Sequence, residues 1–221
     1  MKANLALCFL LLGIFKSVAQ EKFISFFEPE IEINYGVTEA YTHSFGVENR
    51  NFLYKNQNLG YTVKQIDVSH FSEFAIKESQ TIGFGIQYRF EESFNKTEEN
   101  ELRFMQEWEW RNQHENFSIK NRLRNEQRFY ASTTKYRLRY ELGLKFWLQT
   151  NQETYLKTET ETLFEVAKTQ KPEFEQRATF LYGFKLLPKT TLELGAQYRL
   201  ANYTQNLGHE LFIVLGMEIS L

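Results

Sequence analysis

The sequence predicts an all-β chain folded as an antiparallel, up-and-down transmembrane β-barrel of about twelve strands, and three observations predict it. Apolar and polar residues alternate with a period of two along almost the whole chain. The alternating runs are roughly ten residues long, the length that a tilted membrane-crossing strand requires. An apolar leader opens the chain and addresses the remaining residues to the far side of the inner membrane. Composition excludes the competing classes. A mean hydropathy of −0.49 leaves no room for several apolar helices, each of which needs roughly 20 apolar residues. The 21 Phe, 12 Tyr and 3 Trp argue against disorder. A single Cys excludes a disulfide scaffold.

Residues 1–19 read as a signal peptide, with the barrel domain at 20–221. Lys2 supplies the basic start, Leu5 to Phe15 the apolar run, and Ser17-Val18-Ala19 the small residues before the cut, which is expected after Ala19. The run is short for an anchor. Cys8 follows Leu7, where lipid modification requires a small residue. Cleavage removes Lys2, Lys16 and the lone Cys from a chain with 26 basic and 28 acidic residues, so the mature net charge is −4. Thiol chemistry and Cys-metal sites are thereby excluded, and nothing in the charge points to nucleic acid.

The strands come in order. Alternation runs through 30–37, 40–52 and 59–74, then clearly through Thr81 to Phe90, where Ile82, Phe84, Ile86, Tyr88 and Phe90 oppose Gly83, Gly85, Gln87 and Arg89. It continues through 101–111, 117–130, Tyr136 to Phe146, 154–166, 176–186, Leu192 to Leu200, and the final run from Glu210 to Leu221. These are eleven strands, whereas bacterial single-chain barrels have even numbers. Phe23 to Glu28 as a short extra strand gives twelve; a single long strand over 31–47 gives ten. Twelve is preferred, because Val37 to Ala40 has the look of the turn at Leu187 to Thr190. Pro29, Pro172 and Pro188 are expected outside strand interiors, since proline cannot donate to a ladder.

Connectors alternate in length. Thr38-Glu39, Lys77–Gln80, Asn112–Asn116, Leu148–Gln152 and Leu187–Thr190 are short. Those near 53–58, 92–100, 167–175 and 201–208 are longer, with 131–134 a short exception. Outer-membrane barrels carry short turns on the periplasmic side and longer loops outside. Trp108, Trp110 and Trp147 stand beside the short turns, as an interfacial aromatic girdle does.

Alternation alone does not say which face points inward. A lipocalin-like barrel buries its apolar face and leaves the polar one in water. The leader, the strand number and the long Arg and Glu side chains set among Gly favour a polar lumen. On that reading two neighbouring strands form a basic wall: Lys120, Arg122, Arg124, Glu126 and Arg128, then Lys135, Arg137, Arg139, Glu141 and Lys145. Glu107 and Glu109 precede it; Lys157, Glu159, Glu161 and Glu165 come after, with Arg177 beyond. Charges on adjacent strands can pair across the ladder, and Arg grips carboxylates bidentately. The network is either a structural filling, since buried charges are normally paired, or a basic patch that passes an anion. Gly83, Gly85, Gly143, Gly183, Gly195 and Gly216 face the same side and leave room for long neighbours.

One enzyme signal is weighed. His70-Phe71-Ser72 places a base and a nucleophile on one face of a strand, together with Ile66 and Val68. It lies near the periplasmic end and has no third residue to orient it, and outer-leaflet lipid hydrolases work at the other end. No other catalytic residue is nominated. His43, His114 and His209 are isolated, no metal-ligand spacing or phosphate loop occurs, and no cofactor is expected. The polar stretch Glu92 to Asn100 suits an exposed loop tip available for binding.

Asn121-Arg-Leu-Arg-Asn-Glu-Gln-Arg-Phe129 followed by Tyr136-Arg-Leu-Arg-Tyr-Glu-Leu-Gly-Leu144 resembles an uncharacterised outer-membrane barrel family of Bacteroidetes-type, Gram-negative bacteria, domain of unknown function 2490. The acidic strand Tyr155 to Val166, with Glu161, and the hairpin Arg177 to Leu200 extend the likeness. Asn125 departs from it, standing where an apolar residue is expected. The resemblance implies the fold and a place in the outer membrane, and carries over no catalytic residue. The partners expected there are outer-membrane lipids and lipopolysaccharide, and the barrel-assembly machinery during insertion. The function expected is a non-enzymatic, porin-like barrel, structural or narrowly anion-selective, with lipid hydrolysis through His70 and Ser72 as the alternative.

Overall fold

The computed structural model describes residues 23–150, 152–168 and 170–221. The signal peptide expected at residues 1–19 lies outside them. Eleven strands succeed one another: β1 (Phe23–Thr38), β2 (Tyr41–Lys55), β3 (Asn58–Lys77), β4 (Gln80–Phe90), β5 (Glu101–Gln113), β6 (Phe117–Phe129), β7 (Thr134–Trp147), β8 (Thr154–Ala167), β9 (Glu173–Leu187), β10 (Thr190–Ala201) and β11 (Gly208–Ser220). Each pairs antiparallel with its neighbours in sequence, and β1 pairs with β11 to close the barrel.

The count resolves the parity question. Phe23 to Glu28 is no separate strand but the start of a 16-residue β1, and a turn at Glu39-Ala40 divides 31–47. With eleven strands, one fewer than twelve, β1 and β11 run the same way. The closing ladder is therefore parallel, from Phe23 opposite His209 to Asn34 opposite Ser220. Pro29 is a correction. It lies inside β1, opposite Leu215 of β11. The ladder to β2 skips it, passing from Phe27–Asn51 to Glu30–Glu48, so the missing N–H interrupts one side only.

The barrel has a turn end and a loop end. At the turn end the connectors are 39–40, 78–79, 114–116, 148–153 and 188–189; at the loop end they are 56–57, 91–100, 130–133, 168–172 and 202–207. The β2–β3 connector is shorter than its sequence suggests. Asn56 and Gln57 both take positive φ, 53° and 62°, the two-residue hairpin geometry whose twist matches the strands. The 91–100 loop is folded rather than splayed. Asn100 Oδ1 accepts from the backbone N–H of Glu91 and Glu92, and Glu99 accepts from Ser132 on the next connector.

Burial is inverted relative to a water-soluble protein. Along β7, Leu138 is 46% exposed, whereas on the facing side of the wall Glu126 of β6 is 0% exposed. Leu123, Tyr136, Tyr140, Leu142, Phe180 and Leu194 are likewise exposed, and Glu101, Arg103, Arg128, Glu141 and Glu161 buried. Apolar side chains thus point out and charges point in, which rejects the lipocalin-like arrangement. Asn125 keeps this register: it faces outward and donates to Gln106, which exchanges hydrogen bonds with Gln127. Trp108 and Trp110 pack together on the outer face near the turn end, 4.7 Å between rings. Trp147 instead has the parity of the lumen, beside Lys145.

Two inward glycines are required by what lies over them. The Tyr155 ring rests on Gly183, where a Cβ would come within 2.1 Å of it, and at Gly195 a Cβ would meet the Phe180 carbonyl oxygen at 2.0 Å. In the first case the missing side chain is what lets an aromatic lie flat against the wall.

Candidate functional site

The candidate site is the lumen, and the register builds it. Arg124 stands opposite Glu107, Arg122 opposite Glu141, Arg137 opposite Glu165, and Glu161 opposite Arg177. Each pair shares the inner face because side chains alternate across the strand. From the loop end to mid-barrel these pairs, except Arg124–Glu107, merge into one network. Glu101 accepts from Arg103 Nε at 2.7 Å, from Arg128 Nε and Nη2 at 2.8 Å, and from the Tyr130 hydroxyl at 2.8 Å. Arg139 forks onto Glu161 at 2.9 Å through Nε and Nη2, and reaches Glu126 with Nη1 at 2.8 Å. Arg177 joins Glu161 from the other side at 3.2 Å. Glu165 gathers Arg128, Arg137 and Lys135. Glu141 takes Arg122 and Lys120, and Lys120 also reaches Glu159 at 3.0 Å.

All ten residues expected in the lumen network lie inside: Arg122, Glu126, Arg128, Arg137, Arg139, Glu141, Glu159, Glu161 and Arg177 are joined through shared ion pairs, and Arg124 pairs separately with Glu107. The basic wall exists, but each of its arginines is held by a carboxylate from a flanking strand. Sequence reasoning missed the loop-end floor. Asp67 takes Arg89 bidentately at 2.8 and 2.7 Å. Glu28 takes Arg50 and Arg199, whose guanidinium lies 3.6 Å from the Phe212 ring centre, and Phe26 stacks on that ring at 4.7 Å. Phe212, Met105 and Leu163 are buried inside the barrel. Arg89 and Glu101 were visible as polar members of alternating runs; the inward apolar residues carry no such mark.

A cavity of about 800 Å³ runs through the lumen, lined from Arg103 and Arg128 near the loop end to Glu32, Glu73 and Lys145 toward the turn end. Glu30 and Glu32 of β1 and Glu73 of β3 line it and take part in no ion pair among the described residues. On the β6–β8 side stand Arg124, held by Glu107 at 2.8 Å, Lys157, held by Glu193 at 3.2 Å, and Lys145. The Lys145 ammonium sits 3.6 Å from the Tyr155 ring centre, a cation–π contact, with no carboxylate in ion-pair reach among the described residues.

His70 and Ser72 lie on the outer face near the turn end, as expected, but they are not joined to each other. His70 Nε2 is 2.8 Å from His43 Nδ1, and Ser72 Oγ is 3.3 Å from the Tyr41 hydroxyl. His43, isolated in the sequence, is thus the partner of His70 in the fold.

Three comparisons bear on the chain. A family profile described as "Protein of unknown function (DUF2490)" matches residues 30–209. No curated protein matches it. Among solved structures, one titled "NanC porin structure in rhombohedral crystal form" is similar at 10% identity with a TM-score of 0.48, over 76% of this chain and 78% of that one.

Proposed function

The chain belongs to the DUF2490 family of proteins of unknown function, and from that premise we propose, on its own geometry, that it is a non-enzymatic barrel of the outer membrane. The observation that carries the reading is the inverted burial: a continuous apolar outer face around a charged interior is stable only where hydrocarbon covers the outside. The turn end faces the periplasm and the loop end the exterior. Outer-membrane lipids and lipopolysaccharide cover the apolar belt. The leader is cut after Ala19 on export, and the assembly machinery inserts the mature barrel.

Of the two roles open to the lumen, the network supports the structural one. An anion path needs arginines with free donors, and here Arg122, Arg124, Arg128, Arg137 and Arg139 are all occupied by carboxylates. Fractionation tests location: the protein is expected with the outer membrane and extractable only with detergent, and recovery in the soluble periplasm overturns the reading. Planar-bilayer recording tests the lumen. No steady conductance is expected, and a steady anion-selective current overturns the structural role.

A further inference from the structure

Asn125 stands where an apolar residue is expected, and nothing in the lumen accounts for it. It faces outward near the middle of β6 and donates through Nδ2 to Gln106 Oε1 at 3.0 Å. Gln106, near the middle of β5, donates to Gln127 Oε1 at 3.0 Å, and Gln127 donates back to Gln106 Oε1 at 2.9 Å. Three carboxamides thus cluster on the outer face, with Phe104, Trp108, Leu123 and Phe129 exposed around them. The cluster does not use up its own hydrogen-bonding capacity. Each amide nitrogen carries two hydrogens and makes one bond, and Asn125 Oδ1 accepts nothing, among the described residues.

The rest of the outer wall differs. Across the barrel, five strands from β5, β10 presents Leu192, Leu194 and Ala196 over its middle. Outward polar groups elsewhere turn to their neighbours. Gln176 donates to Thr160 and accepts from Thr162, each at 2.7 Å, Asn49 donates to the Gln65 carbonyl oxygen at 3.2 Å, and His43 bonds His70. Hydrocarbon offers no partner to an unmet donor or acceptor, so a polar cluster at mid-depth is stable only against protein. Lipid headgroups lie at the two ends of the barrel, out of reach. A copy of the same patch supplies what is missing, because a carboxamide both donates and accepts. A two-fold axis along the membrane normal brings each residue to its own equivalent at equal depth. We propose that the outer face of β5 and β6 is a dimer interface between two copies of this chain in the membrane, with Gln106 nearest the axis and Asn125 and Gln127 bonded across it. The inference rests on the barrel lying in the outer membrane, where hydrocarbon would otherwise cover this face.

Two measurements on the full barrel test it. Cys8 is the chain's only cysteine and leaves with the leader, so Phe104→Cys on β5 and Leu194→Cys on β10 each present one outward thiol. Oxidation of isolated outer membranes, followed by non-reducing electrophoresis, is expected to give at least tenfold more covalent dimer from Phe104→Cys than from Leu194→Cys. Sedimentation equilibrium in density-matched detergent is expected to show a wild-type dimer, which Asn125→Leu combined with Gln106→Leu weakens at least tenfold. A monomer at every concentration, an association unmoved by the double variant, or equal yields from the two thiols overturns the proposal. So does a cross-linked product of any mass other than twice that of the barrel, which would assign the face to a different protein. Leucine suits a hydrocarbon-covered face, so the double variant is expected to fold, and the thiol pair keeps the test decisive if it does not. Heat-modifiable mobility and membrane recovery of the same preparation report on the barrel reading separately, so a folded, membrane-borne protein that stays monomeric sinks this inference alone.

Discussion

The two halves of the lumen contain the same residue types arranged to opposite effect. Toward the loop end Glu101, Glu126, Arg103 and Arg128 are buried and cross-linked, and Phe212, Phe26, Met105 and Leu163 fill the spaces between them. Toward the turn end Glu30, Glu32 and Glu73 face the cavity that runs through the lumen, without ion partners among the described residues. The difference teaches that charge inside a barrel is not one property. A buried charge whose partners are all present acts as core, and removing one partner leaves the rest stranded. A charge beside water is already solvated and contributes little to stability.

Glu101→Ala is the strongest way to break that contrast. It removes the carboxylate that Arg103, Arg128 and Arg89 share and leaves Arg103 only a 3.8 Å contact with Glu126, at an expected cost of about 3–5 kcal/mol. Urea unfolding in detergent micelles, followed by tryptophan fluorescence, measures it. A loss below about 1 kcal/mol, the scale of an exposed ion pair, would mean that the packed half is not held by its network.

The contrast presupposes that inside and outside are assigned correctly, and Leu138→Arg tests this one strand face away. Leu138 points outward between Arg137 and Arg139, which point inward. An arginine on a lipid-covered face near the midplane costs about 2–4 kcal/mol. Membrane insertion yield and urea midpoint are both expected to fall, and an unchanged midpoint would argue that water bathes that face.

Period-two alternation made this assignment legible from sequence: Arg122 in, Leu123 out, Arg124 in. It also placed every member of the Arg–Glu network on one face, because neighbouring strands in a meander align their inner residues. Three things were not legible, each for a physical reason. The strand number depends on Phe23 to Glu28 meeting β11, far away in sequence, and a parallel closure breaks the even-number rule. The tight turn at Asn56-Gln57 lacks the glycine that marks such hairpins. The division into packed and open halves depends on which side chains meet across the lumen, such as Arg128 with Glu165 two strands away. Spacing along the chain does not encode that.

The smallest expected effects come from Ser72 and Glu73, adjacent in β3 and on opposite faces. Glu73 faces the cavity; its polar contact is a weak hydrogen bond from Ser44 at 3.4 Å. Glu73→Gln therefore is expected to shift stability by no more than about 0.5 kcal/mol, the range of substitutions away from packed networks. A loss comparable to that of Glu101→Ala would erase the distinction between the halves. Ser72 faces outward, and its contact is the Tyr41 hydroxyl rather than His70. Ser72→Ala leaves Tyr41 stacked on Phe74, 4.5 Å between ring centres, so an effect of about 0.5 kcal/mol or less is again expected. Because Ser72 is hydrogen-bonded to Tyr41 and not to His70, the variant is also expected to match wild type in phospholipid and lipid A hydrolysis. A lower rate in the variant would show that the His70–Ser72 pair forms transiently, and would move function from the lumen to the outer face.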